Sequence, residues 1–298
     1  MVENTKRDYA GVFRHGLTFL FTRYGVRIVV TVIGVLIVFT LLFPILFAVL
    51  TSLVKGTIVT SLDISKYNLT LENYVEAVTD PEFIRATSTS IVVSILNIIV
   101  AVVVITPAAY AFSRFKFWGR DTLLFTYLVL SQVGGGFGVA AVIALYVFLL
   151  KLQSIGIPLL GNPLVLPLIY TAGAVPFQTW LLKSYFDNLP KELDEAAFID
   201  GASWSQIVFK IVLPASKSAM VIIAIFAFMG AWGEFIIADF LRVRTIAAYL
   251  YVTAAGLHGP DWPAFAARAI LFAIPVIVLY CVAQKYIGEA LRYGATKG

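Results

Sequence analysis

Six apolar runs constrain this chain more than any other feature. They fall at roughly 28–50, 89–112, 122–150, 164–182, 218–238 and 264–284. Each is close to or beyond the ~20 residues with which an α-helix crosses the hydrocarbon of a bilayer. Inside lipid the backbone must satisfy its own polar groups, which restricts runs of this kind to helices. Composition agrees: 60% of the residues are hydrophobic and only 13% are charged, against about 25% charged in an ordinary soluble domain. The expectation is an all-α, polytopic membrane protein with six transmembrane helices.

Around the spans the chain divides into a basic segment 1–27, a membrane domain 28–284 and a tail 285–298. A cleaved signal peptide has a shorter apolar region ending at small residues. Here the first run continues through Phe43 and Pro44 to Leu50, so it reads as a retained helix. Lysine and arginine set the orientation. With the N-terminus inside, 15 of the 22 fall on inner segments, among them Arg114, Lys116, Lys183, Lys210 and Lys285, and 7 on outer ones. The positive-inside bias therefore puts both termini and the 183–217 loop in the cytoplasm. The net charge of +5 is explained by topology, without a nucleic-acid partner. The longest outer loop is 51–88, where Thr70 can cap a short helix entered by Glu72.

Several chemistries lack their residues. No Gly-Lys pair occurs, so there is no phosphate-cradling GxxxxGK[ST]. The two histidines, His15 and His258, are far apart, and no HExxH or GxSxG spacing is present. The reading assigns no catalytic residue, no metal and no cofactor to this chain; ATP and Mg, if used, belong to another. No internal repeat marks a secondary transporter working alone, and no Ser/Lys or paired-aspartate set in the spans suggests an intramembrane enzyme.

The polar loop between the fourth and fifth spans holds EAAFIDGASWSQIVFKIVLP, residues 195–214. Pro190 suits a first helical turn, and Glu192, Asp194 and Glu195 set negative charge at its positive end. Ala196 and Ala197 keep one face thin. Gly201 interrupts the helix, and Ser203 with Gln206 can form a capping box for a second one. Ile207, Val208, Ile211 and Val212 then lead to Leu213-Pro214 and the next span. Two readings of this elbow compete: a docking surface for another protein, or an amphipathic helix lying on lipid. Its acidic start favours the first, since lipid-surface helices carry lysine and arginine.

The spacing of Glu195-Ala196-Ala197, Gly201, Ile211, Leu213 and Pro214, with Asp200 and Ala202 beside the glycine, resembles the EAA motif of permease subunits in binding-protein-dependent ABC importers. Ala109-Tyr110-Ala111-Phe112-Ser113-Arg114 followed by Phe117-Trp118-Gly119-Arg120 is similar to the end of the second helix in the carbohydrate-uptake class. The tail resembles the MalG-like, maltose/maltodextrin-type subunits. The chain departs from them at Gly134-Gly135-Gly136, where a proline bend is usual, and in the tail EALRYGATKG.

The resemblance implies a multi-pass subunit of a prokaryotic plasma membrane, pairing with a second, MalF-like permease and two ATP-binding subunits. An external solute-binding protein would deliver a sugar or oligosaccharide. The EAA helix would dock on the ATPase, and Gly294, Lys297 and Gly298 of the tail would reach between the ATPase subunits. A polyol, glycerol phosphate or amino acid is the alternative cargo in the same class. Within the membrane, Tyr127, Ser131 and Gln132 are expected along the translocation path. Trp232 and Glu234 either join them or, in the other reading, Glu234 sits at the outer interface, because a carboxylate deep in lipid needs a cavity or a partner. Asn97 is expected to make an interhelical hydrogen bond.

Overall fold

The computed structural model describes residues 23–55, 67–136, 138–255 and 261–295. They form two compact units: one runs to Asn73 and includes Trp262–Ala267, the other takes Tyr74–Asp261 and Arg268 onward.

The first unit is built on α1 (Arg23–Ser52), a 30-residue helix that is apolar on every side. Val30, Leu36, Phe39 and Leu41 are all exposed, which suits a helix solvated by lipid. Its few hydroxyls turn inward on the backbone: Thr40 and Thr51 donate to the carbonyls of Leu36 and Phe47, each at 2.8 Å. Beyond α1, Val54 bridges Leu69. The buried Asn73 donates to Ser52 O at 2.9 Å and Val54 O at 2.8 Å, and Lys55 pairs with Glu72. As the sequence suggests, Thr70 Oγ1 accepts the Glu72 N–H, at 3.2 Å, ahead of α2 (Glu72–Thr79).

The second unit centres on α3 (Pro81–Arg114), α6 (Leu166–Phe186) and α9 (Lys217–Gly233). The buried side of α3 is largely small: Ala86, Ser90, Ser94, Ala101 and Ala109. Its large residues Ile91, Ile95, Ile99 and Val103 face outward. This is how helices pack in lipid, where close backbone approach replaces a hydrophobic driving force. Asn97 makes the expected interhelical bonds: it donates to Ala227 O at 2.7 Å and accepts from Thr171 Oγ1 at 3.0 Å, joining all three helices. Around them lie α4 (Arg120–Gly136), α5 (Gly138–Ser154), α7 (Glu192–Ile199), α8 (Trp204–Ala215), α10 (Ile236–Phe240), α11 (Ile246–Ala254) and, from Arg268 on, α12 (Trp262–Ala295).

Four expected spans, α1, α3, α12 and α6 with its leading turn, are single helices long and apolar enough to cross a membrane. The other two differ from the expectation. The third is divided, α4 ending at Gly136 and α5 opening at Gly138 with φ +47°. Consecutive glycines each weaken a helix by about 1 kcal/mol relative to alanine. The fifth, α9, is only 17 residues long and meets α8 at a 92° bend. Helix ends also overrun the apolar runs. Pro81 and the cap on Asp80 start α3 eight residues early, through the polar Glu82, Arg85 and Thr87. The last helix continues to Ala295, well into the expected tail.

Candidate functional site

The elbow begins where α6 stops. Asp187 caps it, accepting from Ser113 Oγ and pairing with Lys183 Nζ, both at 2.7 Å. Pro190 stands just before the N-cap Lys191, and the acids Glu192, Asp194 and Glu195 fill the first turn of α7. Helical spacing then splits the motif between two faces. Asp194 and Ala197, three residues apart, point into the bundle; Glu195, Ala196, Phe198, Ile199 and Asp200 are exposed, Ile199 by 87%.

Asp194 Oδ2 lies 2.6 Å from Arg114 Nε at the end of α3, with side chains only 10% and 7% exposed. Arg114 also donates to the carbonyl of Leu189 at 3.2 Å. Two stretches 80 residues apart in sequence are thus fastened by a buried charge pair. Sequence reasoning missed it, reading Asp194 only as charge for the helix terminus. The available signal was a lone arginine ending an apolar helix, opposite an acid-rich turn.

Gly201 has φ +78°. Its N–H donates to Phe198 O at 3.0 Å, and the Ala202 N–H to Ala197 O at 2.9 Å. This pair of bonds is the Schellman ending, which needs a left-handed residue at the position Gly201 fills. Ala197 and Ala202 both join the core behind it. The chain re-enters helix at Ser203, whose N–H donates to Gln206 Oε1 at 2.8 Å.

Helix α8 widens to π geometry over Ile207–Val212 before Leu213 and Pro214. It buries Ile207, Val208 and Val212, with Ile211 and Leu213 half-buried, and leaves Pro214 exposed. One apolar cluster continues from Ala197 through these residues to Ile105 and Tyr110 of α3, Phe186 of α6 and Ile223 of α9. The elbow and three long helices thus share one close-packed core. Trp204 fills the hinge, with rings of Phe198 and Phe115 at 4.2 and 4.8 Å.

The residues expected along a path are dispersed. Tyr127 is 42% exposed on α4, and Ser131 donates to its own helix at Leu128 O, 2.7 Å away. Trp232 is 1% exposed, stacked between Phe228 and Phe272, its Nε1 donating to Phe272 O at 3.0 Å. Glu234 is half-buried where α9 ends. It accepts from Tyr170 Oη at 2.7 Å and from the N–H groups of Ile237 and Ala238 at 2.7 and 3.1 Å, which start α10. Gly294 lies in the last turn of α12. The Gln132 side chain, Lys297 and Gly298 lie outside the described residues.

At the opposite end of α3 from the elbow, Asp80 gathers a polar cluster. It accepts from Tyr249 Oη at 2.7 Å and the Glu82 N–H at 2.9 Å, with Arg268 at 3.6 Å. Burial raises the Asp80 pKa, but these hydrogen bonds and the arginine outweigh it and hold the carboxyl below its ordinary value. Among the described residues, no group of three His, Cys, Asp or Glu side chains is placed to hold a metal.

The sequence pattern of one family, described as the binding-protein-dependent transport system inner membrane component, matches residues 17–293. The chain is 34% identical over 233 residues to the maltodextrin transport system permease protein MdxG of Bacillus subtilis, covering 77% of this chain and 81% of that protein. It is 36% identical over 241 residues to the trehalose/maltose transport system permease protein MalG of Thermococcus litoralis, covering 78% and 83%. Its fold is similar to a chain of a bacterial ABC transporter involved in import of the acidic polysaccharide alginate. There the TM-score is 0.70 at 21% identity, over 90% of this chain and 99% of that one.

Proposed function

We infer the function of this chain from its family: it belongs to the binding-protein-dependent transport system inner membrane components. It is a transport subunit of the prokaryotic plasma membrane, not an enzyme. We propose that its cargo is a sugar or oligosaccharide of the maltodextrin or trehalose kind, because relatives named for such cargo share about a third of its residues over most of the chain. In this reading the chain crosses the membrane six times, with α4 and α5 together as the third span. It pairs with a second permease and two ATP-binding subunits, and an external binding protein delivers the cargo.

One observation carries the mechanism: the elbow is fastened inside and bare outside. The Arg114–Asp194 pair and the apolar cluster through Ala197 anchor it to α3, α6 and α9. Its outer face offers Glu195, Ala196, Asp200 and a nearly bare Ile199, a surface for a protein partner with basic groups and an apolar cleft. Closure of the ATPase pair on ATP binding would draw this face inward, and the packed helices would follow to open the outer side. Hydrolysis would reset them. Along the path we place Tyr127, Ser131, Gln132 and Glu234. Trp232 braces α9, and the tail near Gly294, Lys297 and Gly298 contacts the ATPases.

A pair of substitutions at Gly201 tests the elbow. A Cβ there meets nothing within 4 Å in this chain, so Gly201→Ala costs only the left-handed backbone, about 1–2 kcal/mol, and keeps transport. Gly201→Asp should still insert but lose uptake of labelled maltodextrin in proteoliposomes containing the ATPase and ATP. Normal uptake by Gly201→Asp would remove the elbow from the mechanism.

A further inference from the structure

Beneath the elbow lies a mostly apolar groove of about 430 Å³, lined by Pro107, Tyr110, Phe115, Trp204, Ser205, Val208 and Phe209. Its volume is in the ~300–1,000 Å³ range of pockets that take small molecules. One wall is the end of α3, an apolar 34-residue helix that stops at Arg114. The other is α8, which turns 92° away from α9. With α3 read as a membrane span, its end sets this groove at the boundary between hydrocarbon and headgroups. Phe115, Trp204 and Phe209 are 38%, 49% and 41% exposed, apolar surface that water disfavours and that boundary accepts.

Two lysines adjoin its lining residues in the chain. Lys116 follows Phe115 and Lys210 follows Phe209; both are exposed, and among the described residues neither has a carboxylate within ion-pair distance. Next to Lys116, Trp118 is fully exposed, the pattern of an interfacial aromatic anchor. Of the elbow acids, Asp194 is taken by Arg114, while Glu192, Glu195 and Asp200 are exposed.

We propose that the groove is a binding site for an anionic phospholipid of the leaflet on the elbow side. An acyl chain lies against Tyr110, Trp204 and Val208, and the phosphate is held by Lys116 and Lys210. Occupancy is read by the elbow through two of the same side chains. Trp204 touches Phe198 of α7, and the Tyr110 hydroxyl lies beside the Asp194–Arg114 pair. The inference rests on the membrane fold alone and is independent of the proposed cargo and partners.

The test is native mass spectrometry of the purified protein from nanodiscs of phosphatidylcholine with phosphatidylglycerol, with brominated acyl chains used in parallel to quench fluorescence. Trp204 emission is isolated by difference from Trp204→Phe. The wild type should retain phosphatidylglycerol in preference to phosphatidylcholine. Lys116→Gln with Lys210→Gln should reduce that preference about tenfold. Ser205→Phe, which fills the groove from an exposed position, should abolish retention and the quenching of Trp204. Equal retention of both lipids, or retention unchanged in both variants, overturns the proposal. So does a wild type whose Trp204 is shielded from brominated lipid by a partner chain or by residues 1–22.

Discussion

At the scale of single residues, the Arg114–Asp194 pair has the largest consequence. Both charges are nearly out of water, and a buried ion that loses its partner costs roughly 3–5 kcal/mol. Asp194→Asn should therefore lower the thermal unfolding midpoint in detergent and weaken coupling of transport to ATP hydrolysis. Replacing both partners with apolar residues should restore stability but not the position of the elbow. Asp80 supplies a second test. Its carboxyl is held below its ordinary value, so its contribution is complete above the unfolded pKa, near 4, and is lost as pH falls through the folded one. Thermal stability should decline in that acid window, and Asp80→Asn should flatten the decline. An unchanged pH profile in the variant would show that the Tyr249 and Arg268 contacts contribute nothing.

At the scale of elements, two helices end the same way with different residues. After α7 the left-handed position is Gly201; after α10 it is Arg242, with φ +58°. In the second case Arg242 N–H donates to Asp239 O and Val243 N–H to Ala238 O, both at 2.9 Å. An L side chain in that conformation costs about 1–2 kcal/mol. Arg242→Gly should thus stabilise the protein by about 1 kcal/mol in chemical denaturation, and a loss of stability would mean that the arginine side chain makes compensating contacts. The elements also mark where local reasoning held. Apolar runs and the Gly201 break were legible because periodicity and backbone freedom are local properties. The break between α4 and α5 was foreshadowed only as a glycine run. The start of α3 at Pro81 was not foreseen, because a proline and an acidic cap outweigh hydropathy at a helix end.

At the scale of the whole molecule, the expectation is an assembly. Purification from native membranes in mild detergent should retain two ATP-binding subunits and a second permease with its own EAA loop. A chain that purifies alone and still transports sugar in vesicles would overturn the proposal. Deleting residues 294–298 should leave insertion intact and reduce uptake; full uptake would make the tail a solvated end. By itself the sequence determined the membrane class, the all-helical fold and the helix break at Gly201, because hydropathy, helix period and glycine act over a few residues. Only tertiary structure decided which face of the elbow is anchored and which is bare. That choice depends on Arg114 meeting Asp194 and on Ala197 packing against α3 and α6, contacts between segments that no local pattern relates. It likewise turned Glu234 into the cap of a helix break and Trp232 into a buried brace, because burial and hydrogen-bond geometry are properties of the packed chain.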